Sequence, residues 1–381
     1  MIYYIVPIII GFVFSFYEVK FGGYTLKNKT FQKLFIFASA FIYCGGYMTG
    51  SDWVNYELLY DQASLSNLKY YTKELGFYYL VLIFKWIGFG FFPFLILCKF
   101  TVFYIIGNFL KEHFKSFYLP FTIFLASNAL FIFVDNPLRF MLALGVIVLS
   151  YKYLLTRKII PYFILVSIAT LFHISSAIML IAYMGSHLII TKKWITILLY
   201  ITIFILLTPS LLGGLIEQYV TPYFLSLEYY IAKVPEKDFN YFSIGRIVYL
   251  IFFLIVVIKR DVIQRFNNYG EIFYKFTILF FYISLLSRIP TLFRLSIFFA
   301  PFLYLSISII LISQFQFKVI IKYFVISYFI FSPIKDIYNS WVYIPYSNYF
   351  ISLIKNDLHS YEYRKNFNKS EYFKRKGEWP E

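Results

Sequence analysis

The sequence predicts an all-helical, polytopic membrane protein of about twelve spans, since its apolar stretches approach the roughly 17–25 residues a helix needs to cross hydrocarbon. Three observations carry that prediction. The chain is 60% hydrophobic with a mean hydropathy of +0.70 and only 14% charged residues, a composition from which no water-soluble domain is built. Short basic clusters alternate with long apolar runs along nearly the whole chain: Lys20 to Lys33, Lys111 to Lys115, Arg157-Lys158, Lys192-Lys193, Lys259 to Arg265 with Lys275, Lys318 with Lys322, and a tail from Arg364. Between consecutive clusters the chain turns back through a few polar residues. Lys and Arg mark cytoplasmic loops because translocation retains them, so all clusters but the last are expected on one side and the polar returns on the other.

The elements follow in order from those fixed points. Met1 to Ile10 lacks the basic flank and cleavage site of a secretory signal and reads as the start of a retained first span, about Ile2 to Tyr17. Leu34 to Met48 returns outward. A polar stretch from Gly50 to Glu74 leads into Leu75 to Gly90, a run interrupted by Lys85 and glycines. Were that run to cross, every later cluster would invert. It is therefore predicted to be a re-entrant or interfacial outer helix, with Phe91 to Leu110 the true third span. Tyr118 to Val134 then rises, Asp135 to Arg139 is exposed, Phe140 to Leu155 descends, and Ile159 to Phe172 rises to His173. Ile174 to Ile190 descends and Trp194 to Thr208 rises. Pro209 to Phe242 forms the largest outer loop, carrying Glu217, Glu228, Glu236 and Asp238. Ile244 to Ile258 descends, Phe276 to Leu286 rises, Ser287 to Arg294 returns tightly, Leu295 to Ile312 descends and Val319 to Phe331 rises. This makes residues 1–355 one membrane domain with outer loops 49–90 and 209–243, followed by a basic polar tail, 356–381. Parity puts that tail outside and its charge argues for inside; either Trp341 to Ile354 crosses again or the tail lies on the outer surface.

The net charge of +16 does not indicate nucleic acid, since the basic residues are dispersed between spans rather than gathered on one face. Cys44 and Cys98 lie in apolar segments and read as packing residues. There is no phosphate-binding lysine loop, dinucleotide glycine fingerprint, His-Glu-x-x-His or nucleophile elbow. The nearest acidic pair, Glu236-Lys237-Asp238, has no histidine beside it, so no metal and no cofactor are expected.

Charged groups near hydrocarbon are costly and mark function. Here they collect in the outer returns: Asp52, Arg139, His173, Arg246, Arg288 and Arg294. Ile159 to Phe172 and Phe276 to Leu286 are short for spans, and each ends at a charged or titratable group, which suggests a wet cavity opening on the outer side. Guanidinium groups there would suit a diphosphate, being planar, bidentate and permanently charged. Arg139, Arg288 and Arg294, with Arg246 nearby, are the candidates. His173 at a hairpin tip can accept a proton from a hydroxyl, with Asp52 the second choice of base. Tyr56, one turn beyond Asp52, together with Glu74 and Asn136, completes the substrate-binding candidates.

At this point the residues resemble a known family, the EpsG-type polysaccharide polymerases related to the Wzy O-antigen and capsule polymerases. The resemblance rests on Gly50-Ser51-Asp52-Trp53-Val54-Asn55-Tyr56, Glu74-Leu75-Gly76-Phe77, Arg139 at the start of a span, the basic turn Arg157-Lys158, and Phe172-His173-Ile174-Ser175, in order across about residues 45 to 180. The chain departs at Phe140, where a Gln is common, and lacks an Arg-x10-Gly loop, since Ser150 stands eleven beyond Arg139. The resemblance implies a membrane glycosyltransferase of GT-C-like architecture in a bacterial inner membrane, its active site facing the periplasm or exterior. Its implied partners are undecaprenyl-diphosphate-linked oligosaccharides as donor and acceptor, the bilayer, and a chain-length regulator and flippase of the same pathway. An O-antigen ligase using the same donor, and a non-enzymatic flippase of lipid-linked sugars, are the alternatives.

Overall fold

The computed structural model describes residues 1–20, 29–70, 74–135, 137–188, 244–286, 290–313 and 318–376, with positions 193–194, 197 and 200. The described residues form helices and no strand; a lone bridge joins Gly46 to Asn348. The chain divides into two compact units, residues 1–179 with 311–381, and residues 180–310.

The first unit contains α1 (Ile2–Lys20), α2 (Lys29–Cys44), α3 (Trp53–Gln62), α4 (Leu75–Trp86), α5 (Phe91–His113), α6 (Tyr118–Phe124), α7 (Leu138–Leu155) and α8 (Ile159–Phe172). α6 continues directly as a π-helix, Leu125–Asp135. Four helical stretches are long and apolar enough to cross a membrane: α1, α5, α6 with its π-helix, and α7. α1 packs on α6, α2 on α5, α5 on α7, and α7 on α8. Much of the core is aromatic. Phe103 alone meets Phe121, Phe124 and Phe133 at 5.0–5.7 Å between centroids, within the range that favours edge-on ring pairs.

Side-chain contacts bring basic residues of different clusters in this unit together. The ammonium groups of Lys20 on α1 and Lys322 both lie over the Phe16 ring, at 5.4 and 5.3 Å. Lys29 and Lys33 on α2 are close enough to Lys111 on α5 to repel it. The polar returns, at the opposite ends of these helices, meet as well. Gly50 N–H donates to the Val342 carbonyl (2.9 Å), and the Ser51 and Asp52 amides point at the Asp135 carbonyl (3.3 and 3.4 Å). Helix direction therefore alternates here as predicted from charge.

α4 does not cross. Twelve residues rise only about 18 Å, against roughly 30 Å of hydrocarbon. Its far end is tied back to α3: Lys85 Nζ donates to the carbonyls of Tyr60, Asp61 and Ala63 (3.1, 2.7 and 2.9 Å), satisfying the C-terminal carbonyls of α3. Gly88, at φ +91°, then turns the chain into α5.

In the second unit, α9 (Ile178–His187), α10 (Ile244–Ile258), α11 (Arg260–Gln264), α12 (Gly270–Leu286), α13 (Pro290–Ile297) and α14 (Ala300–Ile312) are described, the ends of α9 and α14 reaching into the first unit's residues. Two expectations change. The rising segment is not short: helix starts at Gly270 rather than Phe276, because Lys275 is buried and so tolerated inside it. Its Nζ meets Glu271 Oε1 (2.8 Å) and the Ser186 carbonyl (2.9 Å). The expected return Ser287 to Arg294 is helical from Pro290 onward, proline being well suited to a first helical position. Residues 287–289, the loop 209–243 with its acids, and most of the span expected at 194–208 lie outside the described residues.

The tail is settled by contacts within the first unit. After α15 (Lys318–Asn339), the chain at 342–349 pairs with residues 45–50, through Val342 to Gly50, Ser347 to Tyr47 and Met48, and Tyr349 to Gly45. α16 (Tyr349–Ile354) has six residues and cannot span. α17 (Tyr361–Lys376) docks on α3, so the basic tail lies at the same end as Asp52.

Candidate active site

The returns at that end bring four of the sequence candidates together. Glu74 stands just before α4, Arg139 in the first turn of α7, His173 at the C-terminus of α8, and Tyr56 in the first turn of α3. Glu74 is the centre of the group. Its Oε2 accepts from Arg139 Nη1 at 2.6 Å and its Oε1 from His173 Nδ1 at 2.5 Å. The Glu74 side chain is 11% exposed, His173 20% and Arg139 36%, so the carboxylate is shielded while its partners reach outward.

Local structure explains how this is built. Glu74 has φ +59°, a left-handed conformation that a non-glycine residue adopts at a cost and that clusters at functional sites. Two residues on, Gly76 lies against the end of α8: a Cβ there would come within 2.8 Å of Leu171 Cβ and 3.0 Å of the Leu171 carbonyl oxygen. Only glycine lets α4 approach α8 closely enough for Glu74 to reach His173. Gly50, at φ +99°, likewise allows the turn that delivers Ser51 and Asp52 to Asp135.

Arg139 is also fixed by rings. Its guanidinium carbon lies 5.5 Å from the Tyr56 ring centre and 5.6 Å from that of Phe77, within cation–π range. The Tyr56 hydroxyl receives the Arg139 amide N–H at 3.5 Å. Arg139 Nε is buried and makes no hydrogen bond among the described residues, leaving a donor in reserve. Phe140, the departure from the resembled pattern, packs edge-on against the His173 ring at 5.9 Å and 88°.

The electrostatics favour an ionised Glu74. Burial raises its carboxyl, but hydrogen bonds and charge from His173 and Arg139 outweigh that and hold it below the ordinary carboxylate range. An ionised carboxylate only accepts, so the proton facing it belongs to His173 Nδ1, and Nε2 is the nitrogen left for chemistry. Burial raises the Tyr56 phenol, with Arg139 opposing and Asp52 adding to the shift, which places Asp52 in the same electrostatic neighbourhood. Ser51 Oγ donates to Asp135 Oδ1 at 2.7 Å and lies 3.4 Å from Asp52 Oδ1.

The remaining candidates lie in the second unit or outside the described residues. Arg294 lies in the last turn of α13 and Arg246 in the first turn of α10, both in the second unit, where the Arg246 side chain is not described. Arg288 and Asn136 lie outside the described residues. Asp135, a possible acid partner for Arg139, bonds Ser51, and Arg139 takes Glu74. Among the described residues no three His, Cys, Asp or Glu side chains gather as a metal-holding group.

Sequence reasoning missed the pair that anchors α3. Arg364 of the tail helix donates from Nη1 and Nη2 to the two oxygens of Glu57, both at 2.7 Å, and from Nε to the His359 carbonyl at 3.0 Å. Phe92, Trp53, Tyr47 and Tyr361 surround the guanidinium at 4.9–6.0 Å. A tail read only as basic gives no sign of this, since its partner lies 307 residues away. Lys99, fully buried within α5, was missed too, although a lysine inside an apolar run was visible.

An all-helical chain with several membrane-length helices and a Glu-Arg-His group where its returns converge is a polytopic membrane protein with a candidate catalytic site. Its residues 29–350 match the model of the EpsG family, and the chain belongs to that family. Membership ties it broadly to polysaccharide polymerisation and to lipid-linked saccharides at a membrane. No curated protein and no solved structure matches it.

Proposed function

We propose that this chain is a polysaccharide polymerase that transfers a glycan from polyprenyl diphosphate onto the terminal sugar of another lipid-linked repeat unit, at the outer face of a bacterial inner membrane. The observation that carries the reading is Glu74 joining Arg139 to His173. Three residues far apart in sequence, each in an element of the family resemblance, converge where a base and a cation are required.

His173 Nε2 takes the proton of the acceptor hydroxyl, while Glu74 holds the imidazole by Nδ1 and stabilises its charged form. The acceptor oxygen bonds to the anomeric carbon as the bond from that carbon to the diphosphate oxygen breaks. The electron pair leaves with the polyprenyl diphosphate. Arg139 receives the negative charge developing there through the donors not engaged by Glu74; Arg288, Arg294 and Arg246 are assigned to the diphosphates and Asp52, Tyr56 and Asn136 to the sugars. Because the diphosphate is already a competent leaving group, the reaction is taken to need neither metal nor nucleotide. About twelve spans in a GT-C-like arrangement would enclose the site.

The test is incubation of purified protein, in detergent with EDTA, with a lipid-linked repeat unit, resolving products by single added units. A ladder is expected, reduced about 10²- to 10³-fold by Arg139→Ala. Product on a lipid A core with no ladder would identify a ligase, and unchanged substrate with lipid translocation in vesicles a flippase.

A further inference from the structure

At the end opposite the Glu74 group, α2 and α5 leave a groove of about 430 Å³ between them. It is lined by Leu34, Ile36, Phe37 and Ala40 from α2 and by Phe100 and Tyr104 from α5, with Thr30 and Lys33 at one end. Phe37, Leu34 and Tyr104 are half-exposed or more, so the groove opens sideways, towards the surroundings of the helix pair. From Thr30 to Ala40 is about 15 Å of helix rise, the depth of one leaflet's hydrocarbon.

The polar end of this groove is positively charged. Lys33 lines it, and Lys33 and Lys29 both lie close enough to Lys111 to repel it. Glu112 is the acid that faces Lys111, and its Oε1 already accepts from Asn108 Nδ2 at 2.7 Å. Among the described residues, three ammonium groups stand with one engaged carboxylate at the mouth of a chain-sized apolar slot, an excess of positive charge. Phosphate oxygens answer the mouth and a hydrocarbon chain answers the slot, and a single molecule carries both.

We infer that the α2–α5 groove is a binding site for an anionic glycerophospholipid of the leaflet at the basic end, its phosphate held by Lys33 and Lys111 and one acyl chain lying against Phe37, Phe100 and Tyr104. Nothing in this depends on the reaction proposed above.

The test is native mass spectrometry of full-length protein released from nanodiscs of equal phosphatidylglycerol and phosphatidylethanolamine. The wild type should retain one phosphatidylglycerol in preference to phosphatidylethanolamine. Since each lysine at a lipid surface is worth about a fivefold preference, Lys33→Gln with Lys111→Gln should lower it about thirtyfold. Lys365→Gln with Lys369→Gln, at the other end, should leave it unchanged. Ala40→Leu, which narrows the slot and keeps every lysine, should also reduce retention. Equal retention of both lipids by the wild type, or a double lysine variant that holds phosphatidylglycerol as well as wild type, would overturn the site. So would Ala40→Leu without effect, since the lysines would then act only as a diffuse charged surface.

Discussion

Glu74 is the residue whose chemistry the rest of the site presupposes. With Gln in its place, the shape is kept but only one amide oxygen remains for two donors, and the amide N–H₂ faces either Arg139 or His173. Glu74→Gln is expected to cut glycan transfer about 10²- to 10⁴-fold with the protein still inserted, read as rate of ladder extension. A pH signature follows from its lowered carboxyl. A carboxyl held below its unfolded value, near about 4.3, stabilises the fold above that value and loses the contribution as pH falls through the lower folded one. The stability that the Glu74 carboxyl contributes, and that Glu74→Gln lacks, should therefore persist through neutral pH and be lost only below about pH 4. Thermal unfolding in detergent across acid and neutral buffers reads it directly; a contribution lost already near neutrality would contradict the bonding described. In the sequence Glu74 was one acid among several, because nothing local reveals that two donors from α7 and α8 converge on it.

At the scale of elements, the close approach of α4 to α8 is what presents Glu74 to His173. Gly76→Ala should cost about 1–3 kcal/mol by overpacking against Leu171, and should lower transfer more than it lowers the amount of inserted protein. Activity at wild-type level in a well-inserted Gly76→Ala protein would mean that α4 can shift without consequence. The tail helix offers a second element-scale test. Glu57 and Arg364 are 12% and 7% exposed, so Arg364→Ala leaves a buried carboxylate alone and should destabilise by about 3–5 kcal/mol. Combining Arg364→Met with Glu57→Gln removes both charges and should be markedly less harmful than Arg364→Ala, as judged by unfolding temperature. Parity and Lys85 set the Leu75 to Gly90 run apart from the spans, and the structure gives it a helix of twelve residues tied back to α3 through Lys85. The place of the tail was not legible in the sequence, because charge argues for one side and the span count for the other, and only the contacts at 342–349 and at Arg364 decide.

For the whole molecule, the separation of basic clusters from polar returns within the first unit predicts a labelling pattern. The native cysteines, Cys44 and Cys98, are buried and give a silent background. With a membrane-impermeant thiol reagent on intact cells, Lys369→Cys is expected to react and Lys33→Cys to react only after lysis. Labelling of both from the same side would break the polarity on which the proposed outward-facing site depends.

The sequence by itself determined the helical class and, within the first unit, the alternation of helix direction. It did so because hydrophobic run length and the cost of moving Lys and Arg across hydrocarbon are local properties, readable one segment at a time. Only the tertiary structure decided that Glu74, Arg139 and His173 form one hydrogen-bonded group, that Asp135 belongs to Ser51, and that Arg364 closes on Glu57. Pairings of that kind join residues from different returns, and their geometry depends on how closely helices pack, as at Gly76 against Leu171, which no single segment encodes.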